Sequence, residues 1–162
     1  MIRHAQPEDL PVLLDLYANA RAFMAKTGNP DQWGHTTPTR EQLEGDIARG
    51  ELYLIEEEGC LLGAFVFFTR PEPTYAHIDG AWRDATPYGT LHRVASSGVR
   101  PGFFDRVARF AKEQIPHLRI DTHEDNRVMQ NAVVRNGFVW RGIIRLSNGD
   151  PRLAYEWSRD CP

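Results

Sequence analysis

The chain has 162 residues, of which 41% are hydrophobic and 25% charged, enough for one globular domain with one main core over 1–162. Its net charge of −3 lacks the dominant basic face of a nucleic-acid binder, while leaving room for a local phosphate pocket. No run approaches the roughly 18 apolar residues that cross a bilayer, and Met1 to Asp9 carry acids without the apolar core of a secretory leader, so a cytoplasmic protein is expected.

Ile2-Arg3-His4-Ala5 reads as a short first strand. Apolar residues at Leu10, Leu13, Leu14, Tyr17, Ala20 and Met24 have helical spacing, with Pro7 suited to the first turn and Gly28 to the end. A turn-rich loop over 28–34 leads to a second helix from Arg40 to Ala48, closed by Gly50. Strands follow at 52–56 and 61–69, with Glu58-Gly59 as the hairpin turn between them. The proline-rich stretch 71–88 reads as an irregular excursion holding one short strand, before a strand over 90–95.

From there the order is turn, helix, strand, helix, strand, strand. Phe103, Phe104, Val107, Phe110, Ala111 and Ile115 mark the first of these helices. Leu118, Ile120 and Thr122 alternate with Arg119, Asp121 and His123, which predicts a half-buried strand. Asp125 is placed to cap a helix from Asn126 to Asn136, stopped by Gly137. Strands over 138–146 and 152–157 join through Asn148-Gly149-Asp150. Cys60 and Cys161 leave a bridge or two lone thiols open, the reducing cell interior favouring thiols. No Cys/His cluster has zinc spacing, so no metal is expected.

Two stretches carry chemistry. Ser96-Ser97-Gly98-Val99-Arg100-Pro101-Gly102 lies between a strand and a helix. Free amides at a helix start attract anions, and glycines let a phosphate approach the backbone closely. The same turn also serves as an ordinary strand-to-helix connection. The second stretch, Asn126 to Phe138, is an amphipathic helix with a glycine stop.

In their order and spacing these stretches resemble the GNAT superfamily of acyl-CoA N-acyltransferases, over nearly the whole chain. Val94 to Phe104 matches the family's strand and pyrophosphate loop in length, and Asn126 followed eleven residues later by Gly137-Phe138 matches its Asn…Gly-Phe helix. The resemblance implies a mixed α/β fold: a mostly antiparallel twisted sheet of six to seven strands, about four helices, and a splayed strand pair holding acetyl-CoA as co-substrate. It implies main-chain contacts from Val94 and Ala95 to the pantetheine arm, with amides beside the thioester carbonyl. Backbone amides at Val99, Arg100, Gly102, Phe103 and Phe104 would surround the pyrophosphate, and Asn126 would reach the pantetheine region. Val99 and Phe104 depart from the family's loop pattern. Val133 stands where many members carry a tyrosine acid, a loss that water or another side chain could offset because a thiol of pKa about 8.5 leaves tolerably well.

The reaction implied is direct attack by a primary amine of a small molecule or peptide, in a monomer or homodimer, without membrane or nucleic-acid partners. The rival is a non-catalytic acyl-CoA-binding or regulatory module. An acceptor amine of pKa near ~10 must lose a proton, so a base is useful. Asp121, five residues before Asn126, is one candidate, sharing a strand face with His123 by alternation. The alternative is a strand-end Asp121 paired with Arg119 or Arg141. His92 is open to a catalytic or a hydrogen-bonded structural role. Trp33 and Trp82, on the irregular segments, either line the acceptor pocket or cover the core edge.

Overall fold

The computed structural model describes residues 1–160; Cys161 lies outside them, and Cys60 is an exposed free thiol. Among the described residues are four α-helices and eight strands, hydrogen-bonded in the order β1-β2-β3-β5-β6-β8-β7-β4. The strand beyond the six to seven that the resemblance implies is the two-residue Asp79–Gly80, the short strand expected within 71–88. The chain falls into two compact units, one comprising 1–67 and 92–104, the other 68–91 and the residues from 105 onward.

In the first unit, β1 (Ile2–His4), β2 (Leu52–Glu57) and β3 (Cys60–Phe68, through residue 67) pair antiparallel in sequence order. Glu58 and Gly59 both take positive φ, 52° and 77°, the pattern of the two-residue turn whose twist matches the strands it joins. Helix α1 (Leu10–Lys26) follows a 3₁₀ turn over Pro7–Asp9. Pro7 therefore opens that turn and not α1 itself. Helix α2 (Arg40–Ala48) starts in a capping box: the Thr39 hydroxyl accepts from the Gln42 amide at 3.2 Å, and the Gln42 side chain accepts from the Thr39 amide at 2.8 Å. Leu13, Tyr17, Leu43, Leu52, Leu54 and Phe65 are fully buried in this unit. The second half of β5 (Gly89–Ser96) also belongs here, pressed so close to β3 that Gly63 has no room for a side chain. A Cβ there would overlap the Ala95 carbonyl oxygen and lie 2.5 Å from the Phe103 ring.

In the second unit, Gly89–Leu91 of β5 pairs in parallel with Leu118–Ile120 of β6 (His117–Thr122). Antiparallel pairs then link β6 to β8 (Pro151–Ser158), β8 to β7 (Val139–Arg145), and β7 to β4 (Asp79–Gly80). β6 is not half-buried as its alternation predicts: His117 and Arg119 are as enclosed as Leu118 and Ile120. The cause is a cover from the irregular segment, where the Trp82 and Tyr88 rings sandwich the Arg119 guanidinium at 4.1 and 4.0 Å. α3 (Phe103–Gln114) runs into this unit from residue 105, and α4 (Arg127–Arg135) is capped by Asn126 in place of Asp125. The Asn126 side-chain oxygen accepts from the Met129 amide at 3.0 Å. At the far end the Phe138 amide donates to Val133 and the Gly137 amide to Val134, both at 3.0 Å, which is how a left-handed glycine closes a helix.

Candidate active site

The first unit holds Val94, Ala95, Val99, Arg100, Gly102, Phe103 and Phe104 on one continuous strand, loop and helix start. Val94 is half-buried and Ala95 buried, whereas 96–99 are exposed. Gly98 and Gly102 are both left-handed, at φ 76° and 78°, and the space where a Gly98 side chain would stand is open. Two of the loop's amides are engaged locally: Gly98 donates to the Ser96 hydroxyl at 3.1 Å and Val99 to that of Ser97 at 3.3 Å. A serine hydroxyl is a weak partner that rotates away readily, so an incoming phosphate oxygen can replace it. The Arg100 side chain is held by Glu57 and Glu58 of the hairpin. It braces the loop against the hairpin. The side chains of Phe103 and Phe104 are buried.

Upstream of this loop β5 departs from regular strand geometry. Arg93 has φ +48°, and residues 92, 93 and 94 are all half-buried in place of alternating. The Arg93 carbonyl accepts from the Tyr17 hydroxyl at 2.6 Å, and its guanidinium grips both oxygens of the fully buried Asp46 at 2.7 and 2.8 Å. Burial raises the Tyr17 pKa, which keeps that hydroxyl a donor. His92 directly precedes this turn. Trp33 is half-buried, its ring 5.6 Å from that of Tyr17.

The second unit carries Asp121, His123, Asn126 and Trp82. Asp121 accepts from the Tyr75 hydroxyl at 2.7 Å. Burial, with the Asp121 charge adding to it, holds the Tyr75 pKa well above its usual value, so the pair is a phenol donating to a carboxylate. The charged partner of Arg119 and Arg141 is Glu156, at 3.7 and 2.6 Å. His117 also meets Glu156, at 2.7 Å, and the Arg83 amide donates to it at 2.6 Å. His123 lies past the end of β6, and its Nδ1 accepts from the Asp125 amide at 3.0 Å. Asn126 is buried, with its side-chain oxygen committed to the cap. The Trp82 indole donates to the Tyr75 carbonyl at 2.9 Å, and its ring packs on the cluster of Tyr75, Ile144 and Ala154. Val133 is buried. Among the described residues, no group of three or more His, Cys, Asp or Glu is arranged to hold a metal, and no helix is long and apolar enough to cross a membrane.

Tyr17, Asp46, Arg93, Tyr75 and Glu156 escape the sequence reading. Two of them leave a trace there. Arg93 falls on the same side of its strand as Leu91 and Ala95 by alternation, and Asp46 lies three residues after Leu43 on α2, so each places a charge where an apolar residue is expected.

The class these elements define is the acetyltransferases. Over 99% of its length the chain superposes on 96% of a GNAT-family acetyltransferase crystal structure from Streptococcus agalactiae, with 31% identity and a TM-score of 0.86. The chain belongs to the GNAT family. It is also 25% identical over 138 residues to the peptidyl-lysine N-acetyltransferase YiaC of Escherichia coli, 85% of this chain and 82% of that protein. Its fold is shared, at 15% identity and a TM-score of 0.61, with the Salmonella typhimurium acetyltransferase yncA, solved with its cofactor acetyl-CoA; the match covers 99% of this chain and 94% of that one. No family model matches the sequence.

Proposed function

We propose that the chain is a cytoplasmic N-acetyltransferase, one catalytic domain over 1–162, that moves an acetyl group from acetyl-CoA to a primary amine of a small molecule or peptide. The observation that carries this reading is the loop over 96–102, exposed at 96–99 and holding two left-handed glycines, which leads into α3 directly after the turned segment of β5. Such a loop suits a pyrophosphate because its amides and the helix start present positive ends to an anion without a cationic side chain. Val94 and Ala95 would then contact the pantetheine arm, with an amide beside them polarising the thioester carbonyl. The amine nitrogen attacks that carbonyl carbon, the carbon–sulfur bond breaks, and the thiolate leaves and takes up a proton.

The proton lost by the amine passes to Asp121, directly or through water, the Tyr75 hydroxyl holding the carboxylate in place. His92 and His123 are the alternative acceptors of that proton, and Trp33 and Trp82 the aromatic residues proposed to line the acceptor pocket. Monomer and homodimer both accommodate this scheme. Val133 favours a second reading, an acyl-CoA-binding module without turnover, because it offers no hydroxyl to the departing thiolate. Release of CoA thiol from acetyl-CoA, measured with a panel of amines and lysine peptides, separates the two. Turnover with at least one acceptor is expected; tight acetyl-CoA binding with none would establish the second reading.

A further inference from the structure

We infer that Tyr17 and Asp46 are positioning residues, which hold Arg93 in its left-handed turn and thereby aim the main chain of Val94 and Ala95. Glu58 and Arg93 are the non-glycine residues with positive φ among the described residues. Glu58 owes its conformation to a tight hairpin. Arg93 sits inside an eight-residue strand, where no turn imposes it. An L residue other than glycine resists this conformation and keeps it only where its surroundings over-determine it.

Three short hydrogen bonds do so here. The Tyr17 hydroxyl, presented by the middle of α1, takes the Arg93 carbonyl at 2.6 Å. From near the end of α2, Asp46 takes the guanidinium through both oxygens, at 2.7 and 2.8 Å. Asp46 is itself fixed by Arg49 at 2.7 Å and by the main-chain closure of its helix, where the Glu51 amide donates to the Asp46 carbonyl at 3.0 Å. Tyr17 and Asp46 are both fully buried, so water reaches these bonds only from the side of the half-buried Arg93. Rotating one residue of a strand into the left-handed region redirects the peptide groups on either side of it. Helices α1 and α2, which contribute no acid–base candidate, thus decide which way the peptides at 93 and 94 face.

The inference rests on the reading that Val94 and Ala95 contact the thioester, and its test has one arm that does not need that reading. The first arm measures the amide-to-Hα scalar coupling and the carbon shifts of Arg93 by NMR in the wild type, Tyr17→Phe and Asp46→Asn, all without ligand. Left-handed values are expected in the wild type, moving toward strand values in both variants; unchanged values in both would overturn the clamp even if the wild type turned over no amine. The second arm measures kcat, KM for acetyl-CoA, and calorimetric affinity for CoA. Each variant should lose kcat by roughly tenfold to a hundredfold, as expected when a reacting group is misaimed, with CoA affinity nearly unchanged. The loss caused by Tyr17→Phe should shrink in the Arg93→Gly background, because glycine takes the left-handed turn unaided. Parallel losses in CoA affinity and kcat, or a loss of equal size in the Arg93→Gly background, would show a general packing role and overturn the aiming role. Tyr17→Phe keeps the ring that fills the core, and Asp46→Asn provides the same test from the other helix.

Discussion

The two units put their polar groups to opposite uses. In the first they fix the course of the main chain: the buried Tyr17 and Asp46 grip Arg93, the exposed Ser96 and Ser97 occupy loop amides, and Arg100 ties the loop to the hairpin. In the second, side chains serve one another: Tyr75 meets Asp121, while His117, Arg119 and Arg141 converge on Glu156. The contrast teaches where damage will register. A substitution in the first unit should misdirect main-chain groups, whereas one in the second should change protonation and the stability that depends on it.

The largest effect should come from Asp46→Ala, which leaves the Arg93 guanidinium beside a buried hole while Arg49 keeps Glu51. The charge-assisted hydrogen bonds lost are worth about 1.5–3 kcal/mol each when enclosed, less where the guanidinium left behind reaches water, so urea unfolding should show a loss of about 3 kcal/mol. Asp121→Asn should come next and leave folding largely intact. It should lower kcat by about 10²-fold, the scale of general-base help, and lower acetyl-CoA affinity far less; a wild-type kcat would reject Asp121 as base. Gly102→Glu should weaken acetyl-CoA roughly thirtyfold, or about 2 kcal/mol, by crowding the loop and repelling phosphate. Calorimetry giving wild-type affinity would remove the loop from the site.

The smallest effect sharpens the contrast through pH. Burial alone would raise the Glu156 pKa, but hydrogen bonds from His117 and the Arg83 amide outweigh it and hold the pKa below its ordinary 4.5. A depressed acid stabilises the fold above its unfolded pKa and loses that contribution as pH falls through its folded value. Glu156→Gln should therefore be less stable than wild type at pH 7, by about 1–3 kcal/mol for a charged hydrogen bond. The gap should narrow as the pH drops below 4.5, measured by urea midpoints across that range. A gap independent of pH would mean that Glu156 acts by shape alone.

Much of the architecture is legible because its signals are local. Gly28, Gly50 and Gly137 close their helices with positive φ, and Glu58-Gly59 turns its hairpin; each is decided by neighbours within a few residues. The site is less legible because its determinants are distant. Leu91-His92-Arg93-Val94-Ala95 reads as a plain strand, and its turn is set by residues 76 and 47 positions earlier in the chain. Arg119 and Asp121 look like the wet side of a strand because alternation cannot foresee Trp82, Tyr88 and Tyr75 arriving from a proline-rich stretch. Asn126 is predicted as a contact residue, yet its side-chain oxygen serves first as a cap, a role the same residue type fills equally well.

Gly63 bears on how any saturation-mutagenesis map of this protein is interpreted. With the Ala95 carbonyl and the Phe103 ring filling the place of its missing side chain, position 63 should tolerate no replacement, alanine included. On such a map it would stand out like an essential catalytic position. Its intolerance would instead record how tightly two neighbouring strands are fitted together.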